Sequence, residues 1–145
     1  MSVEENKALV KRFFEAANNV RGDISRLQSL VKELIAPEYV VHSPSGDWTL
    51  EQTLQMWNMV FTAFPDMNEK IEGIFAEGDR VVTRSTATGT HKGVFQGMPP
   101  SGKPFRMGEV VIFRVAEGKR VEKWPFLGQL GLLQQLGAIP SGPPN

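Results

Sequence analysis

Cysteine is absent from this sequence of 145 residues. Its absence excludes disulfides, thiolate catalysis, and zinc or iron–sulfur sites that depend on cysteine ligands. Long apolar runs are also missing: no window approaches the ~20 apolar residues of a membrane span, and the N-terminus has no signal-peptide core. We therefore expect a cytoplasmic protein that does not interact with a membrane.

The sequence has no excess charge of either sign, because 16 Lys and Arg balance 16 Asp and Glu. A nucleic-acid-binding domain needs a basic excess on one face, so no nucleic-acid partner is expected. A net charge near zero mildly favours self-association. The hydrophobic content of 41% and the length favour one globular domain over residues 1–145.

Apolar residues at helical spacing predict two helices before the first strand. Ser2 and Glu5 form a capping-box pattern before the first helix, which is expected over about residues 3–18. Asp23 can cap the second helix, and Pro37 is expected to end it.

A short strand is expected at residues 39–42, ending at a Ser-Pro-Ser-Gly loop. Thr49 and Gln52 repeat the capping-box pattern before a third helix that Pro65 closes. The second half of the chain then follows the strand period. This period predicts four strands, at residues 68–76, 80–91, 105–115 and 120–126. A Gly/Pro-rich loop is expected at residues 93–102, between the second and third of these strands. A terminal helix at residues 130–136 and a frayed tail at residues 138–145 end the chain.

The last two strands form a predicted hairpin with a short Gly-containing connection. Residues 110–113 are continuously apolar, which predicts a strand buried on both faces. Two-residue periodicity places Ile71 and Phe75 together on one face of an earlier strand. Helices first and strands later indicate the α+β class, with an antiparallel sheet covered on one face.

Several segments resemble the SnoaL-like polyketide cyclase family of the NTF2-like superfamily, over residue 2 to about residue 137. They include LIAPEYVVHSP, FPDM, EGDRVVTRSTATGTHKGVFQGMPPSGK, IFRV and LGLLQQLG. The resemblance implies an NTF2-like cone, in which a curved antiparallel sheet with helices on its concave face encloses a pocket. It also implies a small apolar ligand or substrate, no cofactor, and a homodimer or dimer of dimers formed through the outer sheet face.

Family members differ in their chemistry, so the resemblance alone does not give the reaction. Cyclases of the family close a polyketide ring by an aldol step, with a histidine and an aspartate on the last two strands. The resemblance places that pair at Val111 and Pro125, and a further aspartate of other members at Gly128. None of these side chains can transfer a proton, which weakens the expectation of the usual activity.

Two histidines are candidates for other roles. His42 ends the first strand beside Pro44, where it could act as a base at the pocket mouth or could be a half-exposed residue at a strand end. His91 precedes the Gly/Pro-rich loop and is more simply explained as fixing the geometry of that loop. Two histidines without suitably spaced carboxylates do not predict a metal site.

Glu109 is the best remaining carboxylate, because strand period places it on the same side as Val111. Glu109 and Lys123 could form a buried pair across the hairpin or an outward salt bridge. The outward or rim arrangement is favoured, since charged side chains are rarely buried. Arg84 could bind an acidic group or lie on the outer face.

Aromatic residues spread along the chain are expected to line the pocket, although residues at such spacing often only fill a core. They are Phe14, Tyr39, Trp57, Phe61 and Phe95.

Two functions remain open. The first is a divergent cofactor-independent cyclase-like enzyme acting on an apolar carbonyl compound, with His42 and Glu109 as its catalytic groups. The second is a non-catalytic module that binds a hydrophobic ligand or serves an assembly. A hydrolase or isomerase is less favoured, because Tyr39 is the only tyrosine and aspartate is scarce in the strands.

Overall fold

The computed structural model describes residues 2–20 and 23–140. These residues form helices and strands in the order α1 (Val3–Val20), α2 (Ile24–Leu34), β1 (Ile35–Ser43), β2 (Gly46–Thr49), α3 (Leu50–Ala63), β3 (Asn68–Glu77), β4 (Arg80–Thr90), β5 (Pro104–Ala116), β6 (Lys119–Leu127) and α4 (Gln129–Gln135).

The strands form one curved six-stranded sheet in the order β2-β1-β6-β5-β4-β3, and the predicted α+β class is confirmed. The sheet is antiparallel except where β1 lies beside β6, because these two strands run in the same direction. The chain meanders through β3, β4, β5 and β6 before it returns to the side of β1. The predicted antiparallel sheet thus includes one parallel pair.

The predicted helix starts are confirmed. Ser2 and Glu5 exchange backbone-to-side-chain hydrogen bonds of 3.2 and 3.0 Å, and Thr49 and Gln52 form the second capping box. The Asp23 carboxylate accepts a hydrogen bond from the backbone N–H of Arg26. These side chains satisfy N–H groups that have no partner within their own helix.

The predicted helix ends are less accurate. Helix α1 continues to Val20, whose side chain packs in the core, so tertiary contacts extend the helix past residue 18. Helix α2 ends at Leu34, before Pro37, because Ile35 and Ala36 are already buried in β1. Pro37 lies inside that strand and does not end the helix.

Strand β2 was not predicted. The segment after Ser43 was expected to be a loop, but it turns at Ser43–Gly46 and returns as a strand paired with β1. Gly46 has a φ of 126°, which favours glycine. The four-residue strand is too short to show alternation in the sequence.

Strand β3 carries one extra residue relative to its neighbour β4. In β3, Ile71 pairs with Ser85 and Gly73 pairs with Arg84, which leaves Glu72 as a bulge. The bulge reverses the alternation, so Ile71 packs toward the helices while Phe75 lies on the opposite face with 66% of its surface exposed. The prediction that these two side chains share a face was wrong for this reason.

The sheet has an inner face toward α1 and α3 and an outer face that no helix of the described residues covers. Val111 and Phe113 on the inner face are buried, whereas Val110 is 41% exposed on the outer face. The prediction that residues 110–113 are buried on both faces was therefore wrong for the isolated chain. Phe126 pairs with Val110 on the outer face and is 60% exposed.

The end of the described chain packs on the sheet. Leu132 of α4 and Leu136, which follows the helix, are buried, and the Gln135 side chain bonds both backbone groups of Arg106. The predicted frayed tail is described only to Pro140, and residues 141–145 lie outside the described residues. No described helix is long and apolar enough to cross a membrane.

Candidate functional site

A cavity of about 140 Å³ lies between the inner face of the sheet and helices α1 and α3. Apolar side chains contribute most of its wall, and they are Phe13, Phe14, Ala17, Leu27, Met56, Trp57, Val60, Phe61, Met67, Met107, Val111, Phe113 and Leu127. Five polar or charged residues also line it, and they are Asn18, Glu69, Glu109, Arg120 and Lys123.

Glu109 lies in the wall formed by β5, and only 8% of its surface is exposed. Its carboxylate accepts a long hydrogen bond of 3.4 Å from the Ser85 hydroxyl on the neighbouring strand. The outward or rim position favoured from sequence was therefore wrong. The strand alternation that places Val111 inward places Glu109 inward as well.

The surroundings of Glu109 favour its protonated form. Burial raises the pKa of Glu109 to about 8, and the negative charge of Glu69 adds to this effect. Lys123 and the Ser85 hydroxyl act in the opposite direction but do not outweigh the desolvation. A group with such a pKa can donate a proton at neutral pH and accept one slightly above it.

Glu109 and Lys123 both line the cavity, but they are not opposite each other. Glu109 pairs with Leu127 across the hairpin, whereas Lys123 pairs with Phe113. The Lys123 ammonium lies 5.8 Å from the centroid of the Trp57 ring, close enough for a cation–π contact. The proposed buried ion pair is not found within the described residues, although the charge of Lys123 still lowers the Glu109 pKa.

Val111 and Pro125 are directly opposite each other on β5 and β6. Residues paired in this way have Cβ atoms roughly 4.5–5.5 Å apart, a distance suited to two cooperating side chains. Val111 lines the cavity, and neither side chain can ionise. The polar chemistry of this wall therefore comes from neighbouring positions.

Arg120 is a charged residue of the cavity wall that sequence reasoning did not identify. Simple alternation along β6 places Arg120 on the same side as Glu122 and Trp124, which is the outer face. A bulge at Val121 reverses this, because Val115 pairs with Arg120 while Arg114 pairs with Glu122. A one-residue bulge leaves no clear mark in the sequence.

Three of the five predicted aromatic residues line the cavity: Phe14, Trp57 and Phe61. Tyr39 is buried beside the cavity and accepts a hydrogen bond from Arg120. Phe95 packs on Phe64 in a separate cluster below α4 and does not reach the cavity.

His42 does not lie at the cavity mouth, where the sequence suggested a base. Its ring stacks on Trp124 of the outer face, and its two nitrogens bond Glu122 and Asp47 at 2.8 and 2.9 Å. Glu122 also bonds Arg114. These partners raise the pKa of His42, Glu122 more than Asp47. The sheet separates this cluster from Glu109, so the two predicted catalytic groups do not converge.

His91 and Arg84 also lie away from the cavity. The backbone N–H and the hydroxyl of Ser101 contact the Nδ1 atom of His91, which joins β4 to the Gly/Pro-rich loop. This arrangement agrees with a role in loop geometry. Arg84 is exposed on the outer face, beside Val110.

Within residues 2–20 and 23–140, no cluster of three or more His, Asp or Glu residues is suited to bind a metal ion.

A profile described as SnoaL-like polyketide cyclase matches residues 8–136. Among solved structures, AclR, a candidate hydroxylase of Streptomyces galilaeus, is 32% identical with a TM-score of 0.86, and the match covers 98% of this chain and 87% of AclR. IdmH, a candidate polyketide cyclase of Streptomyces antibioticus, is 32% identical with a TM-score of 0.74 and coverages of 88% and 97%. A candidate SnoaL-like cyclase of Jannaschia sp. CCS1 is 26% identical with a TM-score of 0.80 and coverages of 94% and 94%. No curated protein sequence matches the chain.

Proposed function

Because this chain belongs to the SnoaL-like polyketide cyclase family and has its NTF2-like fold, we propose that it is a cofactor-independent enzyme acting on a small, largely apolar carbonyl compound. Glu109 is the residue that transfers the proton in this proposal. Its support is the burial of the Glu109 carboxyl group in a mainly apolar cavity wall, two residues from the position where the family's histidine would stand.

The proposed chemistry needs one group that can both accept and donate a proton. The Glu109 carboxylate would remove a proton from the carbon between two carbonyl groups, and the enolate carbon would then attack a second carbonyl carbon. The resulting alkoxide would take the same proton back from Glu109, so the net charge is unchanged. A catalytic pKa near the working pH serves both steps, and that of Glu109 is about 8.

The proposal predicts a distinctive pH dependence. The carbon-acid step requires ionised Glu109, so its rate should rise about tenfold for each pH unit below 8 and become constant above it. A glutamate with an ordinary pKa would already be ionised at neutral pH, so the rate would not change with pH between about 6 and 8.

The test is hydrogen–deuterium exchange in D₂O, followed by NMR, at C4 of methyl 3,5-dioxohexanoate, the carbon between its two ketone groups. We expect Glu109→Gln to lower the exchange rate about 100-fold or more, because a buried general base is lost. His42→Gln should leave the rate unchanged, since His42 lies on the outer face. An unchanged rate in Glu109→Gln, or a loss confined to His42→Gln, would contradict the assignment.

A second candidate function is non-catalytic binding of a hydrophobic ligand. The apolar pair Val111 and Pro125, directly opposite each other, supports it, because the family's usual acid–base positions cannot ionise. In this case the unmodified protein shows no exchange, and Val111→His combined with Pro125→Asp creates it. Exchange above background in the unmodified protein would exclude this function.

We also propose that the protein is a homodimer joined through the outer sheet face. Apolar side chains of three strands support this: Phe75, Val110 and Phe126 are each exposed by 41% or more on that face. Exposed apolar side chains on a sheet face commonly mark an interaction site when they form a patch.

A further inference from the structure

Arg120 is an unusual residue to find in the wall of this cavity. Only 2% of its surface is exposed, and the side chain forms no ion pair with a carboxylate of the described residues. Among the described residues, the Arg120 side chain makes one hydrogen bond, which Nη2 donates to the Tyr39 hydroxyl at 2.8 Å. The buried Nε atom has no hydrogen-bond partner among these residues. The guanidinium is therefore a buried cation whose hydrogen-bonding capacity is largely unused.

Aromatic rings take the place of a counter-ion. The guanidinium carbon lies 4.2 Å from the centroid of Phe113, 4.6 Å from that of Phe13 and 5.5 Å from that of Tyr39. Cation–π contacts offset part of the desolvation, but arginine cannot lose its charge as a buried lysine can. A buried cation without an anionic partner is costly and is seldom retained by chance.

Arg120 and Glu109 lie at different levels of the same wall. Arg120 packs on Phe113, and Glu109 lies four residues further along β5, which is about 13 Å of strand. Lys123, opposite Phe113, is the other cation of the cavity and points toward the Trp57 ring. The cavity thus has a cationic end at Arg120, and its carboxyl groups, Glu109 and Glu69, interact with each other away from that end.

We propose that the cavity binds a molecule with an apolar body and a carboxylate, and that Arg120 binds the carboxylate. The planar guanidinium can donate two parallel hydrogen bonds to a carboxylate, which is the geometry this side chain favours. Placed in this way, the far end of the ligand extends toward Glu109. The inference rests on the proposed function only in assigning the ligand to the cavity where Glu109 would act.

The test compares two probes of the same shape, 2-naphthoate and the neutral 2-naphthamide, by calorimetry at pH 7. We expect the unmodified protein to bind the acid at least about tenfold more tightly than the amide, because a charge-assisted bidentate contact is available only to the acid. Arg120→Met should reduce this ratio to about one while the amide binds as before. Because Arg120 donates a hydrogen bond to the Tyr39 hydroxyl, Arg120→Met is combined with Tyr39→Phe so that this hydroxyl is not left without a partner. The single variant Tyr39→Phe is the reference for the double variant.

Lys123→Met is the matched control, because it removes the other cation of the same cavity. We expect it to keep most of the preference for the acid. The proposal is overturned if neither probe binds, if acid and amide bind equally, if the preference survives Arg120→Met, or if it disappears in Lys123→Met instead.

The measurement does not depend on turnover or on the folding of one variant. The acid should raise the midpoint of thermal unfolding of the unmodified protein more than the amide does, and equal shifts would overturn the proposal. Glu109→Gln should keep the preference for the acid even where exchange at carbon is lost. Failure of the catalytic proposal is therefore distinguishable from failure of this one.

Discussion

Glu109 has an ionisable side chain in a buried site that favours its neutral form. Its pKa is raised from 4.5 to about 8 on folding, so the folded chain binds more protons than the unfolded chain between these values. The free energy of unfolding therefore falls as the pH rises from about 5 to 8.

Glu109→Gln should remove this pH dependence while preserving the size of the side chain. We expect similar free energies of unfolding for variant and parent at pH 5, and a variant that is more stable by on the order of 3 kcal/mol at pH 9. Urea unfolding across this pH range measures the difference. Glu38→Gln, at an exposed position, is the control, and we expect it to change the free energy of unfolding by less than about 0.5 kcal/mol. A variant less stable than the parent at pH 9 would contradict the assignment.

His42 should likewise contribute stability at low pH that is lost as the pH rises. Glu122 and then Asp47 raise its pKa above 6.5, so its contribution is complete below pH 6.5 and is lost as the pH rises through the higher folded value. His42 in turn lowers the pKa of Glu122, whose contribution is present above 4.5 and is lost as the pH falls below that range.

We expect His42→Gln to destabilise the protein most between about pH 5 and 6.5, by under about 1 kcal/mol because the cluster is partly exposed. Thermal unfolding at pH 6 and pH 9 measures the change. An equal or larger loss at pH 9 would show that stacking on Trp124, and not charge, accounts for the contribution.

At single positions, the sequence identified Glu109 but not its environment. Strand alternation correctly placed Glu109 beside Val111, since that argument needs only local geometry. The general rule that charged side chains are exposed then favoured a position at the rim, whereas Glu109 is buried. Burial of Glu109 depends on α1 and α3 covering the sheet, which no local pattern contains.

At the scale of the elements, one side chain of α1 joins this helix to β3 by two hydrogen bonds. The Asn18 amide donates to the backbone carbonyl of Glu69 at 2.8 Å and accepts from its N–H at 2.9 Å. It thereby pairs both backbone groups of a strand residue and fixes the helix beside the cavity.

Asn18→Ala should lower the free energy of unfolding by about 2 kcal/mol, because two partly buried hydrogen bonds are lost. Asn19→Ala is the matched control at the next, exposed position, and should change stability by less than about 0.5 kcal/mol. Urea unfolding of both variants measures the contrast. Equal effects of the two substitutions would mean that the junction does not depend on the Asn18 contacts.

The residues at which helices begin were more predictable from the sequence than the register in which strands pair. Capping boxes are short and chemically specific, so Ser2 and Thr49 marked helix starts correctly. The bulges at Glu72 and Val121 were not predictable, because each arises from the fit of one strand to its neighbour. Strand β2 was missed because it is short and gains its pairing only from β1.

At the scale of the whole molecule, the proposed dimer is tested by charging the outer face. We expect Val110→Lys and Phe126→Lys each to shift the sedimentation of the protein from dimer to monomer, since a lysine would be buried without a partner in the interface. Val94→Lys is the control, because Val94 is at least as exposed as Val110 and Phe126 but lies in the Gly/Pro-rich loop. A monomeric parent at 100 µM, or lysine variants that remain dimers, would contradict the proposal.

The bulge at Val121 has a consequence for how homologous cavities could diverge. If Val121 were deleted, the strand residues before it would move to the opposite face of the sheet relative to the residues after it. Arg120 would then leave the interior, and a chain of 144 residues could have a cavity that lacks the buried guanidinium without any substitution in its wall. Insertions and deletions in β6 are therefore a route by which a scaffold of this kind could change its ligand in one step.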